Sequence, residues 1–300
     1  MIEADVMNRS ALAGRHVFFG LFCFLLVLLT FDSLGKLFRL SLNQESADYS
    51  HIILIPVISA ALVFWDRQRI FRNSVTSLGT GAIVLATGVA LYAFGLTNPF
   101  QLKPDDNLSV LTGAIIVVLF SGFLLFYGAE TFKVAVFPLL FLGLAIPLPS
   151  AILDGLVKFL QHGSASVSAL LFALTGTPVY RNDVSFMLPG VTITIAEECS
   201  GIRSTIGIFI VTLLAARLML RSPWRRLILL AAVVPLSLVK NAIRIVTLTL
   251  LAVHVDMGFL TGNLHREGGI VFMMIGLVLL YPLLVFLIRS EAKLIDGVQS

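Results

Sequence analysis

Glu197-Glu198-Cys199-Ser200-Gly201-Ile202-Arg203-Ser204 brings two carboxylates, a thiol, two hydroxyls and a guanidinium together directly ahead of a long apolar run, Ile206 to Leu220. Ionisable groups are expensive at bilayer depth, so a polar cluster this dense at the mouth of an apolar run marks a functional site. A thiol does chemistry as its thiolate, which cations and a helix N-terminus favour. Cys199 opens the helix predicted over 202–220 and so faces its positive end. Gly201 would let a substrate backbone come close, and Ser200 is expected to cap the helix. Glu197 and Glu198 work against the thiolate, so Arg203 or Arg244 must offset them, or they must be held away from the sulfur. The plain alternative is a polar helix cap that happens to contain a cysteine.

Lys240, Asn241 and Arg244 interrupt the otherwise apolar run Leu227 to Val253 at spacings of three and four, which puts them on one helix face. Arg244, toward one end of that run, can snorkel to the surface, whereas Lys240 is expected near the middle of the span. Two readings stay open. Arg244 binds a carbonyl oxygen as it becomes an oxyanion, or the cations form a structural ion pair with Glu197 or Glu198. His265, followed by Arg266 and Glu267, is the candidate base for a catalytic cysteine, with Glu267 or a backbone carbonyl to orient it. His254, beside Asp256, competes for that role, and a solvated loop histidine is the bland reading of either. His16 and His162 have no such neighbourhood. Tyr49-Ser50-His51 forms an outer-face cluster in which His51 is a candidate substrate contact.

These residues must be positioned by helices. The chain of 300 residues is 58% hydrophobic and 13% charged, with mean hydropathy +0.98, against roughly 25% charged in a soluble domain. It is predicted to be an all-α, polytopic membrane helix bundle. Eight spans are expected, at 16–31, 51–65, 79–97, 108–127, 134–148, 202–220, 227–253 and 269–288. The first has basic flanks like a signal peptide but no small-residue cleavage site, and is read as a retained span. The interrupted stretch Ala151 to Tyr180 reads as a re-entrant or interfacial helical pair. Val184 to Leu188 and Val191 to Ile195, around Pro189-Gly190, alternate as a short outer-face β-hairpin does. The expected organisation is an N-terminal segment with the first span, 1–45, a membrane domain, 46–290, and a short cytoplasmic tail, 291–300. No repeat stands out. Cys23 reads as a buried hydrophobe, neither cysteine has metal-site spacing, and no cofactor is expected. The net charge of +4 sits in short clusters between apolar runs, as topology requires, and not in a nucleic-acid-binding patch.

With a cytoplasmic N-terminus, twelve Lys and Arg fall in or beside inside segments (Arg67, Arg69, Arg72, Arg221, Arg225 and Arg226 among them). Only Lys36, Arg39, Lys103, Arg181 and Arg266 fall outside. That asymmetry obeys the positive-inside rule and puts Cys199, Arg244 and His265 at one non-cytoplasmic face.

Taken in order, Glu197 through Ser204, Asn241-Ala242-Ile243-Arg244-Ile245 and His265-Arg266-Glu267-Gly268 resemble the motifs of the exosortase and archaeosortase family of membrane sorting enzymes. Asp48-Tyr49-Ser50-His51 leading into Leu54-Ile55-Pro56, and Phe137-Pro138-Leu139-Leu140 through Ile146-Pro147-Leu148-Pro149, agree with that resemblance. It implies a cysteine protease or transpeptidase with Cys199 as nucleophile, Arg244 as transition-state stabiliser and His265 as acid/base. Glu197, Glu198, Ser200, Gly201, Arg203, Asn241 and His51 would support the site or contact substrate. It further implies protein substrates bearing a C-terminal motif of the Pro-Glu-Pro type, a hydrophobic span and a basic tail, an envelope acceptor, and a place in the inner membrane of an exopolysaccharide-producing host with the site facing the periplasm. Two other classes stay open: a transporter or channel whose pathway is lined by Lys240, Arg244 and the Glu pair, and an envelope-glycolipid enzyme, for which outer-face carboxylates are few.

Overall fold

A computed structural model describes residues 2–42, 49–72, 76–188, 191–260 and 269–299, without the side chains of 2–11, 198, 260 and 294–299. The chain is helical nearly throughout and divides into two compact units, Met1–Ser150 and Ala151–Ser300. Six helices are long and apolar enough to cross a membrane, or seven if the broken pair Val136–Ala145 and Ser150–Leu174 makes one span. The polytopic helical bundle expected from composition is therefore what the chain builds.

The first unit contains α1 (Ile2–Leu29), α2 (Phe31–Leu42), α3 (Leu54–Trp65), the short α4 (Arg67–Ile70), α5 (Leu78–Thr97), α6 (Pro104–Val134) and α7 (Val136–Phe141). The span expected at 51–65 is a helix of 12 residues, about 18 Å long, which falls short of a hydrocarbon core of about 30 Å. The span expected at 134–148 breaks after α7 into a 3-10 turn, Leu142–Ala145, and then Pro147 and Pro149. Helix α6 runs past its expected end, with a break at Gly128, whose φ of 84° suits glycine. Gly81, Gly88 and Gly95 of α5 lie against Leu125, Val118 and Leu111 of α6, and a Cβ on any of them would come within 2.6–2.7 Å of those side chains. This seam of small residues seven apart lets the two helices approach closely. It is a repeat that the hydropathy pattern hid. Phe19, Phe71, Phe123 and Tyr127 form an aromatic cluster of edge-on and tilted rings, and His16 Nδ1 lies 2.7 Å from the Tyr127 hydroxyl.

The second unit contains α8 (Ser150–Leu174), β1 (Tyr180–Asn182), β2 (Ser185–Leu188), β3 (Val191–Thr194), α9 (Ile202–Met219), α10 (Pro223–Ala231), α11 (Val233–His254) and α12 (Gly269–Gln299). The pair expected over 151–180 is one helix of 25 residues, in which Asp154 and Lys158 are exposed while Gln161, His162 and Ser164 find partners inside the unit. The expected hairpin forms, with Phe186 opposite Ile193 and Leu188 opposite Val191, and β1 adds a third antiparallel strand. The sheet packs on helices: Ala165 and Phe172 of α8, Phe186 and Leu188 of β2, Ile195, and Ile245 and Val246 of α11 form one buried cluster. The Phe172 and Phe186 rings meet edge-on at 5.3 Å. The last helix runs on through the expected tail, and Glu291 at its far end accepts the backbone N–H groups of Arg221 (2.9 Å) and Ser222 (2.7 Å).

Candidate active site

The site grows from the end of the sheet. After β3, Ala196 is still extended and Glu197–Cys199 turn once as a 3-10 helix, with Cys199 N–H donating to Ala196 O at 2.9 Å and Ser200 N–H to Glu197 O at 3.0 Å. Gly201, at φ 80°, is the residue from which α9 starts. Its lack of a side chain serves two needs. The left-handed backbone favours glycine, and a Cβ would lie 2.8 Å from Asn241 Oδ1. The close approach allowed by Gly201 is thus filled by Asn241 of this same chain. Ser200 does not cap the helix as expected: it is 1% exposed, and its hydroxyl only accepts a long, 3.4 Å bond from Ile202 N–H. The bend at Gly201 turns Ser200 inward, so the cap position passes to the glycine.

Asn241 ties this turn to α11. Its Nδ2 lies 3.0 Å from each of Cys199 O, Ser200 O and Ser164 Oγ, the last on α8. Asn241 is 1% exposed, and its Oδ1 has no hydrogen-bond partner among the described residues. Next to it, Lys240 donates to Ser204 Oγ, and Ser204 donates to Gly201 O at 3.0 Å. Lys240 is therefore level with the first turn of α9 and not isolated in mid-span: α10 and α11 together are longer than α9, which shifts its level toward the Cys199 end. Gln161 of α8 donates to Ile195 O at 2.9 Å. The unit thus clamps residues 195–201 from two helices, α8 and α11.

Cys199 is half-buried and packs against the sheet–helix cluster that includes Ile245 and Val246. Arg244, half-buried, stands on α11 three residues beyond Asn241, so the helix whose amide grips the Cys199 carbonyl also carries the guanidinium. Glu197 and Arg203 are exposed. Of the Glu198 side chain nothing is described, and His265 lies outside the described residues. His254 sits on the exposed last turn of α11. His51 lies in the turn before α3 in the first unit, where the neighbouring Tyr49 hydroxyl donates to Leu148 O at 3.4 Å. That bond joins the two weaker motif stretches. His162, which the sequence left without a partner, has Asp183 Oδ1 at 3.1 Å.

The sequence missed two polar contributors, Gln161 and Ser164, and gave Ser204 no partner. Each is a small or amide side chain on an apolar helix, and their only signal was that they interrupt runs in which nothing polar is required. Among the described residues no cluster of His, Cys, Asp and Glu is arranged to hold a metal.

Chemically, the arrangement presents a thiol in a pinned turn, with the N-terminal end of a helix beside it and a cationic helix face behind it. Residues 43–282 match the family model described as Transmembrane exosortase (Exosortase_EpsH). The chain belongs to the transmembrane exosortase family. That membership makes it a multipass membrane protein and an enzyme of the transpeptidase or protease kind. No curated protein and no solved structure matches the chain. In this exosortase the family match takes in the Cys199 turn, Lys240, Asn241, Arg244 and His265, and it begins before His51.

Proposed function

We propose that this exosortase cuts membrane-anchored proteins at a C-terminal sorting signal, through a thioester on Cys199, and passes them to an envelope acceptor. The observation that carries the reading is the grip of Asn241 on the Cys199 carbonyl, because it holds the thiol's turn against the helix bearing Arg244. The substrate's own span docks in the bilayer with its motif, of the Pro-Glu-Pro type, at the non-cytoplasmic surface of the inner membrane. The Cys199 thiolate attacks a backbone carbonyl carbon, and the oxygen takes up the negative charge, which Arg244 and the N-terminus of α9 stabilise. His265 gives a proton to the departing amine as the C–N bond breaks, and a thioester remains. An acceptor amine or hydroxyl, or water, then attacks that thioester and releases the thiol. Glu197, Glu198, Arg203 and His51 are assigned to substrate contact, while Ser200, Gly201 and Asn241 hold the turn.

The test is processing in cells of an epitope-tagged substrate carrying a C-terminal span and a basic tail. Cys199→Ala and Cys199→Ser are expected to leave it full length while the enzyme accumulates normally in the membrane. Normal shortening of the substrate by either variant would end the thiol mechanism and leave the polar residues to line a transport pathway.

A further inference from the structure

We infer that Lys240, acting through Ser204, is a positioning residue that holds the Cys199 turn in register with Arg244; this rests on the reading of Cys199 as nucleophile. Lys240 is 1% exposed, in a helix built mostly of apolar residues. Its stem packs beside α12, where a Cβ on Gly276 would be 3.5 Å from Lys240 Cγ. Packing alone would be served by leucine or methionine at lower desolvation penalty, so the ammonium is kept for what it touches.

It touches Ser204 Oγ. An ammonium only donates, whereas a hydroxyl accepts through its lone pairs and donates its single proton. The direction of the chain is therefore fixed: Lys240 Nζ–H to Ser204 Oγ, and Ser204 O–H to Gly201 O, at 3.0 Å. A charged donor polarises the hydroxyl and strengthens the second bond. Asn241, the next residue, takes the carbonyls of Cys199 and Ser200. Three consecutive carbonyls, 199 to 201, thus answer to two consecutive residues of α11. Arg244 is one turn beyond Lys240 on the same face. Any slip of α11 against α9 would have to break this ladder, so the ladder sets where the sulfur stands relative to the guanidinium.

The experiment uses the full chain in lipid nanodiscs with Cys23→Ser, which leaves Cys199 as the one thiol, and a nitroxide attached to it. The parent spectrum is expected to be that of an immobilised label. Lys240→Met and Ser204→Ala should each shift it to a mobile form, and the double variant should go no further than either single, because both break the same chain. Ser204→Thr, which keeps the hydroxyl, should keep the parent spectrum. In the unlabelled enzyme, processing should fall about tenfold to a hundredfold in Lys240→Met and Ser204→Ala and hold in Ser204→Thr. Labels that stay immobilised, or mobile labels with unchanged processing, would overturn the proposal. So would a loss of processing that only follows a lower thermal midpoint. Intact processing in Cys199→Ala would instead remove the nucleophile reading and with it the catalytic purpose of the ladder, while the spectra would still report whether Lys240 holds the turn.

Discussion

A guanidinium and an ammonium carry the same charge, yet only the first offers two parallel N–H donors in a rigid plane. Arg244 is assigned to an oxygen whose charge develops during reaction, so the two side chains should differ in rate and not in fold. Arg244→Lys is expected to lower kcat for substrate cleavage about a hundredfold, with KM and the thermal midpoint little changed, as measured with purified enzyme in proteoliposomes. An unchanged kcat would reduce Arg244 to a source of positive charge. At this scale much of the site was legible in the chain. Asn241 and Arg244 stood out because each is out of place in an apolar run, and Cys199 because it sits in a polar cluster directly ahead of one; the structure adds the grip of Asn241 on the Cys199 turn. What stayed hidden was pairing. Nothing in the spacing says that Lys240 meets Ser204 in place of a glutamate, because a serine hydroxyl within a helix can equally well bond its own backbone. Nor could the sequence say that the space opened by Gly201 is taken up by Asn241.

Elements read from hydropathy succeed where burial is one-sided and fail where something small decides the packing. The helices over 78–97 and 202–219 lie within a residue of their expected bounds, because each is a single apolar run closed by polar residues. The third strand, Tyr180–Asn182, was missed because three residues carry too little periodicity to be seen against the helix before them. The α5–α6 seam was missed for another reason: glycine contributes almost nothing to a hydropathy sum, although its absent Cβ is what allows contact. Gly88→Leu should therefore be disruptive out of proportion to its apolar character. A Cβ there meets Val118 Cγ2 at 2.7 Å and the Val118 backbone nitrogen at 3.0 Å, and backbone cannot rotate aside. Overpacking of this kind costs about 1–3 kcal/mol, and the thermal midpoint in detergent should fall by several degrees. Gly79→Leu is the control, since a Cβ at that position meets nothing within 4 Å, and it should leave the midpoint unchanged. Equal midpoints for the two variants would mean that the seam is not a tight contact.

At the scale of the whole molecule the question is which way the C-terminal unit faces, and its two ends carry opposite demands. Helix α9 has 18 residues, about 27 Å, close to the roughly 30 Å of a hydrocarbon core. The Cys199 turn and the Arg221–Ser222 turn are therefore a membrane's thickness apart. At the second turn, Glu291 receives two backbone N–H groups and Arg225, at 3.3 Å, while Arg226 donates to Leu220 O at 2.7 and 2.9 Å. Arg217, Arg221, Arg289 and Lys293 stand near it in sequence. Cations gathered at one end of a span favour the cytoplasmic side, and on that ground we propose that the sheet and Cys199 stand at the opposite face. A membrane-impermeant maleimide can read this directly in a chain whose two native cysteines are changed to serine. Asn182→Cys, exposed in the sheet, is expected to label in intact spheroplasts, and Arg221→Cys, exposed at the other end, only after the membrane is permeabilised. The reverse pattern would put the thiol in the cytoplasm, where a signal on the outer surface is out of its reach, and the sorting proposal would fall even with every local contact intact.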